Sequence, residues 1–329
     1  MGNYVGIQTQ QSRNNLRSTL LLIGFPLIIL FMTWVGIAIV QGIFSAGSDA
    51  PPFSWDDVNM AFLQAVPWVV GIVGIWFIIA YFFNVSMINH ATGAKPLERK
   101  ENMRVYNIVE NLCMSVGMDM PKLYVVDDPE LNAYASGINK KTYAVTVTTG
   151  LLEVLDDREL EGVIAHELTH IRNRDTRVLI TSIVFVGIIS TVLSFLFNNM
   201  VAIAFGSNRS RSSSNGKNNA LATIVIIIVA VVCLAIAYLF VSMTRFAISR
   251  KREFMADAGG AELCGDSLAL ASALRKISND PGLKDCMRDD VAQLFIALPA
   301  ADKEKTTWFS RLFATHPDIH KRIQILEQF

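Results

Sequence analysis

His166, Glu167 and His170, in the stretch Ala165-His166-Glu167-Leu168-Thr169-His170, are the residues of this chain best arranged to do chemistry. On an α-helix, positions i and i+4 lie one above the other on one face, so the two imidazoles can close on a single divalent cation. Glu167 then projects beside the coordination position left for water, where a carboxylate can serve as general base. The H-E-x-x-H spacing thus predicts a zinc hydrolase. Its flanks predict the helix that the spacing requires. Asp157, Arg158, Glu159 and Glu161 make an acidic first turn, suited to the positive end of the helix dipole, and Val163 and Ile164 open an apolar face.

Two histidines leave a hydrolytic zinc site one protein ligand short. Three further histidines exist, His90, His316 and His320, but the acidic pair in Arg252-Glu253-Phe254-Met255-Ala256-Asp257 is the more attractive source. Glu253 and Asp257 share a helical face at i, i+4. One can bind metal while the other accepts the free N–H of a ligand imidazole, and this spacing alone leaves open which does which.

The elements that must position these groups are partly membrane elements. With 52% hydrophobic and only 18% charged residues, the chain is too apolar for an ordinary soluble domain of 329 residues. A formal net charge of zero argues against nucleic acid as a partner. Cys113, Cys233, Cys264 and Cys286 are widely spaced, with no C-x-x-C pair, and read as reduced packing residues, Cys233 inside a membrane helix. Four uncharged apolar runs are long enough to span a bilayer core, which needs about 20 residues: Leu20 to Val40, Ala65 to Val85, Val178 to about Phe205, and Ala220 to Met243. The first is too long for a signal peptide and lacks a clean small-x-small cleavage site, so it is expected to stay on the protein.

Arg13 and Arg17 before the first span, and Lys95, Arg99, Lys100 and Arg104 after the second, flank a hairpin whose loop carries Asp49, Asp56 and Asp57. The positive-inside rule places both outer ends in the cytoplasm. The Ser/Asn/Gly-rich loop 207–219 carries Arg209, Arg211 and Lys217 against that rule, but the other ends of its hairpin are more basic still. An even number of crossings between His170 and Glu253 lets both reach one metal. Each lies only about eight to ten residues from its span, so the metal is expected roughly 12–15 Å above the cytoplasmic membrane face.

The organisation that follows is a cytoplasmic N-terminal tail (1–19), a first transmembrane hairpin (20–86), the first half of a cytoplasmic zinc protease domain (87–177), a second hairpin (178–243) with the flexible loop 207–219, and the second half of the protease domain (244–329). In the first half, Glu98 to about Val116 reads as helix, Lys122 to Val126 and Tyr143 to Thr148 as strands, and Asn132 to Gly137 as a further strand before a turn at Asn139-Lys140. A protease that cuts many sequences must hold the substrate backbone, and pairing to a sheet edge does this. Asn132 to Ser136 is the candidate edge, although an ordinary hairpin strand fits the same residues.

The pair A-H-E-L-T-H and S-R-K-R-E-F-M-A-D, accompanied by two membrane hairpins, closely resembles the HtpX family of membrane-integral zinc proteases. The family pattern R-x-x-E-[FY]-x-A-D implies Glu253 as third zinc ligand and Asp257 as its supporting carboxylate. Leu131 to Gly137 resembles the segment N-A-[FY]-A-[TS]-G, which turns the reading of Asn132 toward peptide binding. Thr315-His316-Pro317 with Arg322 resembles T-H-P-x-x-x-x-R, and offers His316 or Arg322 as a donor to the developing oxyanion; His90 and His320 read as structural.

The fold implied is an α+β zincin-like metalloprotease domain of mainly helical content, plus four transmembrane helices. The activity implied is a zinc metalloendopeptidase of the cell inner membrane, with one Zn2+ per chain held by His166, His170 and Glu253, and Glu167 as base. Its partners would be the lipid bilayer and protein or peptide substrates, membrane proteins among them, degraded when damaged or misfolded as part of quality control and stress response. The alternatives are a CAAX-type prenyl protease and a non-catalytic zinc-binding membrane adaptor.

Overall fold

The computed structural model describes residues 7–45, 51–181, 252–279 and 318–328, together with residues 231 and 238. The third and fourth apolar runs, loop 207–219, Cys233, Cys286 and the Thr315-His316-Pro317 element fall mostly or wholly outside these residues. The chain divides into two compact units: Met1–Thr19 with Tyr81–Ile183 and Met243–Phe329, and Leu20–Ala80 with Val184–Ser242.

The second unit contains the later part of one long helix, α1 (Ile7–Ser45), and the earlier part of another, α2 (Trp55–Thr92). Their apolar stretches, Gln11–Gly42 and Trp55–Ile79, are each long enough to cross a membrane, and almost none of either is buried within the protein. Both carry an internal proline, Pro26 and Pro67, tolerated where neighbouring groups can satisfy the freed carbonyl. The two helices meet beside their connection. The Trp34 and Trp55 rings stack with centroids 5.6 Å apart, and the Trp34 indole N–H donates to Asn59 Oδ1 at 3.0 Å.

In the first unit a four-stranded sheet runs in the order β1 (Lys95–Pro96), β2 (Lys122–Val126), β4 (Ala144–Thr148), β3 (Ala133–Ser136). β2 and β4 are parallel, and the outer pairs are antiparallel. Alternation decides the faces. Leu123, Ala133, Ala135, Val145 and Val147 join the apolar core, while Tyr134 and Thr146, cross-strand partners, lie on the opposite face. The turn from β3 to β4 needs glycine at 137: its φ is +102°, and a Cβ there would sit 2.3 Å from the Thr142 carbonyl oxygen.

α3 (Met103–Ser115) begins later than its sequence suggested. Glu98 and Glu101 form a turn instead, and Asn102 caps the helix by accepting the Val105 N–H at 3.0 Å. α4 (Thr149–Val154) follows β4 directly, and α5 (Asp157–Arg172) fills the centre of the core with Leu160, Val163, Ile164, Ala165, Leu168 and Ile171. Residues 175–181 (α6) and 252–264 (α7) are helical, followed by α8 (Ser267–Ser278) and α9 (Ile319–Leu326). Cys113 and Cys264 are free thiols, and burial followed by the charge of Asp119 pushes Cys113 up to about 11, as befits an inert packing residue.

The start of α5 is fixed by a capping box. Asp156 accepts the Glu159 N–H at 2.9 Å, and the Glu159 carboxylate accepts the Asp156 N–H at 3.0 Å. Glu159 also receives Lys276 Nζ at 2.6 Å and Ser272 Oγ at 2.7 Å from α8. Burial opposes its charge, but these donors prevail and hold its pKa below the ordinary 4.5. A carboxylate so depressed stabilises the fold fully above its unfolded value and loses that contribution as pH falls through the folded one. Glu159→Gln is thus expected to cost up to about 1 kcal/mol at neutral pH. That difference should shrink as pH falls below the ordinary carboxylate range through the lowered folded value, as read by thermal unfolding midpoints across pH.

Candidate metal centre

His166 and His170 lie on the face of α5 turned toward α7, and the crossing of those helices is unusually close. A Cβ built on Gly260 would come within 3.0 Å of the His166 main chain, and one on Gly259 within 2.6 Å of Thr169 Cγ2. The glycines let main chain meet main chain, and this brings Glu253, at the start of α7, over the histidine pair. His166 Nε2 and His170 Nε2 are 3.1 Å apart. Glu253 Oε2 lies 3.7 Å from the first and Glu253 Oε1 3.6 Å from the second. One ligand atom from each residue falls within 4.8 Å of the others, so three donors of the types zinc prefers face a common point.

Each imidazole is oriented from behind. His166 Nδ1 is 3.0 Å from Asp257 Oδ1, and His170 Nδ1 is 3.0 Å from Asp175 Oδ2. A carboxylate on the far nitrogen fixes the tautomer and leaves Nε2 free to ligate. Burial opposes a charge on His170, but Asp175, Glu253 and Glu167 outweigh it and hold its pKa at about 9. An environment that favours a proton on this nitrogen so strongly also favours a cation beside it.

Arg322 is fully buried and lies behind the carboxylates. Nε donates to Asp257 Oδ2 at 2.8 Å and Nη2 to Asp257 Oδ1 at 2.7 Å, while Nη1 lies 3.3 Å from Glu253 Oε2. Burial opposes a charge on Asp257, but the Arg322 guanidinium and the hydrogen bond with His166 outweigh it and hold the carboxyl below its ordinary value. A guanidinium so engaged neutralises the acidic side of the site.

Glu167 is buried between the ligands and the sheet. Burial pushes its pKa up, and the charge of Glu253 adds to that; the two histidines and a hydrogen bond from the Ala135 N–H act against it. Ala135 lies in β3, which among the described residues pairs only with β4. Asn132 immediately precedes that strand. It is buried, its carboxamide oxygen accepts the Ala133 N–H at 2.9 Å, and its carbonyl accepts from Thr148. His90 and His320 are exposed, and His316 lies outside the described residues.

Asp175 and the Gly259-Gly260 pair were not among the residues singled out from sequence. Asp175 follows His170 by five positions, which on an unbroken helix would turn it away from that side chain. The left-handed Arg174, φ 61°, breaks the helix and returns Asp175 to the imidazole. The glycines had a visible signal in the small-residue run Ala256 to Ala261.

The sequence profile of peptidase family M48 matches residues 99–329, which carry every residue of this cluster. The chain belongs to that family, as an HtpX protease. A Protease HtpX homolog of Bacteroides fragilis is 55% identical over 328 residues, 99% of either chain. One from Tropheryma whipplei is 37% identical over 252 residues, covering 76% of this chain and 80% of its own length. The crystal structure of S. mikatae Ste24p aligns with a TM-score of 0.48 at 19% identity, covering 93% of this chain and 66% of that one. This M48 chain is therefore a membrane metalloprotease that acts on proteins or peptides. Identity of this order to HtpX proteases over nearly the whole chain favours that reading over a prenyl protease or an inactive adaptor.

Proposed function

We propose that the metal is zinc, one per chain, and that this HtpX protease is a multi-pass endopeptidase of the cell inner membrane with its catalytic unit on the cytoplasmic side. The observation that carries the metal assignment is the convergence of His166, His170 and Glu253 within 4.8 Å, with a carboxylate behind each imidazole. Zinc bound there would polarise the scissile carbonyl and acidify the attacking water.

The chain's own residues do the remainder. Glu167 takes the proton of the attacking water and passes it to the leaving amine. Its raised pKa, set by burial, brings it nearer to the range in which a carboxyl can both accept and return a proton at neutral pH. Asp257 and Asp175 hold the imidazoles, and Arg322 neutralises Asp257 and Glu253 from behind. His316 or Arg322 is the further donor proposed to assist the oxyanion. The side of β3 turned away from β4, starting at Asn132, is where an extended substrate would add as a strand and pass Glu167; main-chain pairing of this kind selects unfolded segments over particular sequences. A site of this selectivity beside a bilayer suits the removal of damaged or misfolded membrane proteins under stress.

Detergent-purified protein is expected to cleave an unfolded reporter protein, to stop when stripped by a chelator, and to recover with one equivalent of Zn2+. Undiminished cleavage by the metal-free protein would refute the zinc assignment.

A further inference from the structure

The first part of α1, residues 7–19, packs in the same compact unit as the metal centre. Asn14 is buried there, at 1% exposure, a rare place for a carboxamide without a specific task. Its Nδ2 donates to Asp175 Oδ1 at 2.7 Å and to the Asn173 carbonyl at 2.9 Å, and its Oδ1 faces Arg17 Nη1 at 3.5 Å. One turn earlier, Gln11 Nε2 donates to the Arg172 carbonyl at 2.6 Å. These contacts fall on the end of α5 and on the left-handed turn at Arg174, a conformation that non-glycine residues hold only where the surroundings impose it.

The same turn touches both halves of the ligand set. The other oxygen of Asp175 lies 3.0 Å from His170 Nδ1, and its carbonyl accepts from Arg252 Nη1 at 3.1 Å, next in the chain to Glu253. We infer that Asn14 is a positioning residue of the metal centre, which fixes the Asp175 carboxylate against His170 and so makes the N-terminal segment part of the metal-binding unit. This rests on the zinc assignment above. Gln11 differs from Asn14 in a useful way: it seals the end of α5 without touching Asp175.

The test uses the full-length protein in detergent, stripped and reloaded, with Zn2+ affinity measured by competition against a chromophoric chelator and ligand geometry by the visible spectrum of the Co2+ form. Asn14→Leu is expected to weaken zinc about tenfold, the lower end for loss of an outer hydrogen-bond partner, and to shift the cobalt bands. Gln11→Leu should leave both within twofold of wild type. In an Asp175→Ala background, Asn14→Leu should have no further effect, because its route to the metal is gone. Asn14→Ser, a smaller lesion, carries the same comparison if the leucine variant folds poorly.

Unchanged zinc affinity and cobalt spectrum in the Asn14 variants, an equal loss in Gln11→Leu, or additive losses with Asp175→Ala would each overturn the inference. Failure of the wild-type chain to bind zinc would overturn the metal assignment itself, and this inference with it.

Discussion

Glu167→Gln is expected to lower peptide cleavage by about 10²–10⁴-fold, the usual worth of a general base, while leaving metal content and fold intact. The amide has the size of the carboxylate it replaces, and its oxygen can still accept the Ala135 N–H. Burial already disfavours charge at this position, so a neutral side chain relieves a cost instead of adding one. The substitution spares all three ligand side chains. Metal analysis of the purified variant, with thermal unfolding alongside single-turnover cleavage, separates the outcomes. A metal-loaded variant cleaving near the wild-type rate would remove Glu167 from the mechanism.

Glu253→Ala is the second large effect. It deletes the carboxylate that, among the described residues, approaches both Nε2 atoms, at 3.7 and 3.6 Å, and leaves two imidazoles to hold the ion. Zinc affinity is expected to fall by more than the 10–100-fold typical of losing an outer hydrogen-bond partner, with activity lost in parallel. The fold should survive, because Arg322 keeps its bidentate pairing with Asp257 and is not left as an uncompensated buried charge. Unchanged metal stoichiometry and affinity would mean that the third ligand lies elsewhere.

How legible each part of the site was follows from how local it is. His166, Glu167 and His170 need only the pitch of one helix, and α5 bears the acidic first turn and apolar face read from its residues. Glu253 is distant in sequence, and its place required the even count of crossings and the family pattern. The strand limits at Lys122–Val126 were readable because β-branched residues end abruptly in turn-forming ones. The start of α3 was not: Glu98 looks like a helix opener, whereas the short acceptor of Asn102 makes the better cap.

Arg322 is offered by its motif as a donor to the oxyanion, and a motif names residues without saying what they pair with. Its pairing with Asp257 and Glu253 follows from the docking of α9 and α7, a tertiary fact with no local signature. Asp175 was hidden for the complementary reason. Its reach to His170 depends on a single residue, Arg174, adopting a conformation that nothing about arginine favours.

The glycine-mediated crossing of α7 over His166 has a bearing on which ion the site can hold. At Gly260 the main chain of α7 lies against that of His166, and at Gly259 against the Thr169 side chain, so the crossing leaves no room for a larger residue at either position. Helices seated this firmly are expected to resist the separation that a wide, many-oxygen coordination sphere such as calcium's would require. The framework is thus expected to favour a small ion in addition to any preference expressed by the donor atoms, which competition of Ca2+ against Zn2+ would check.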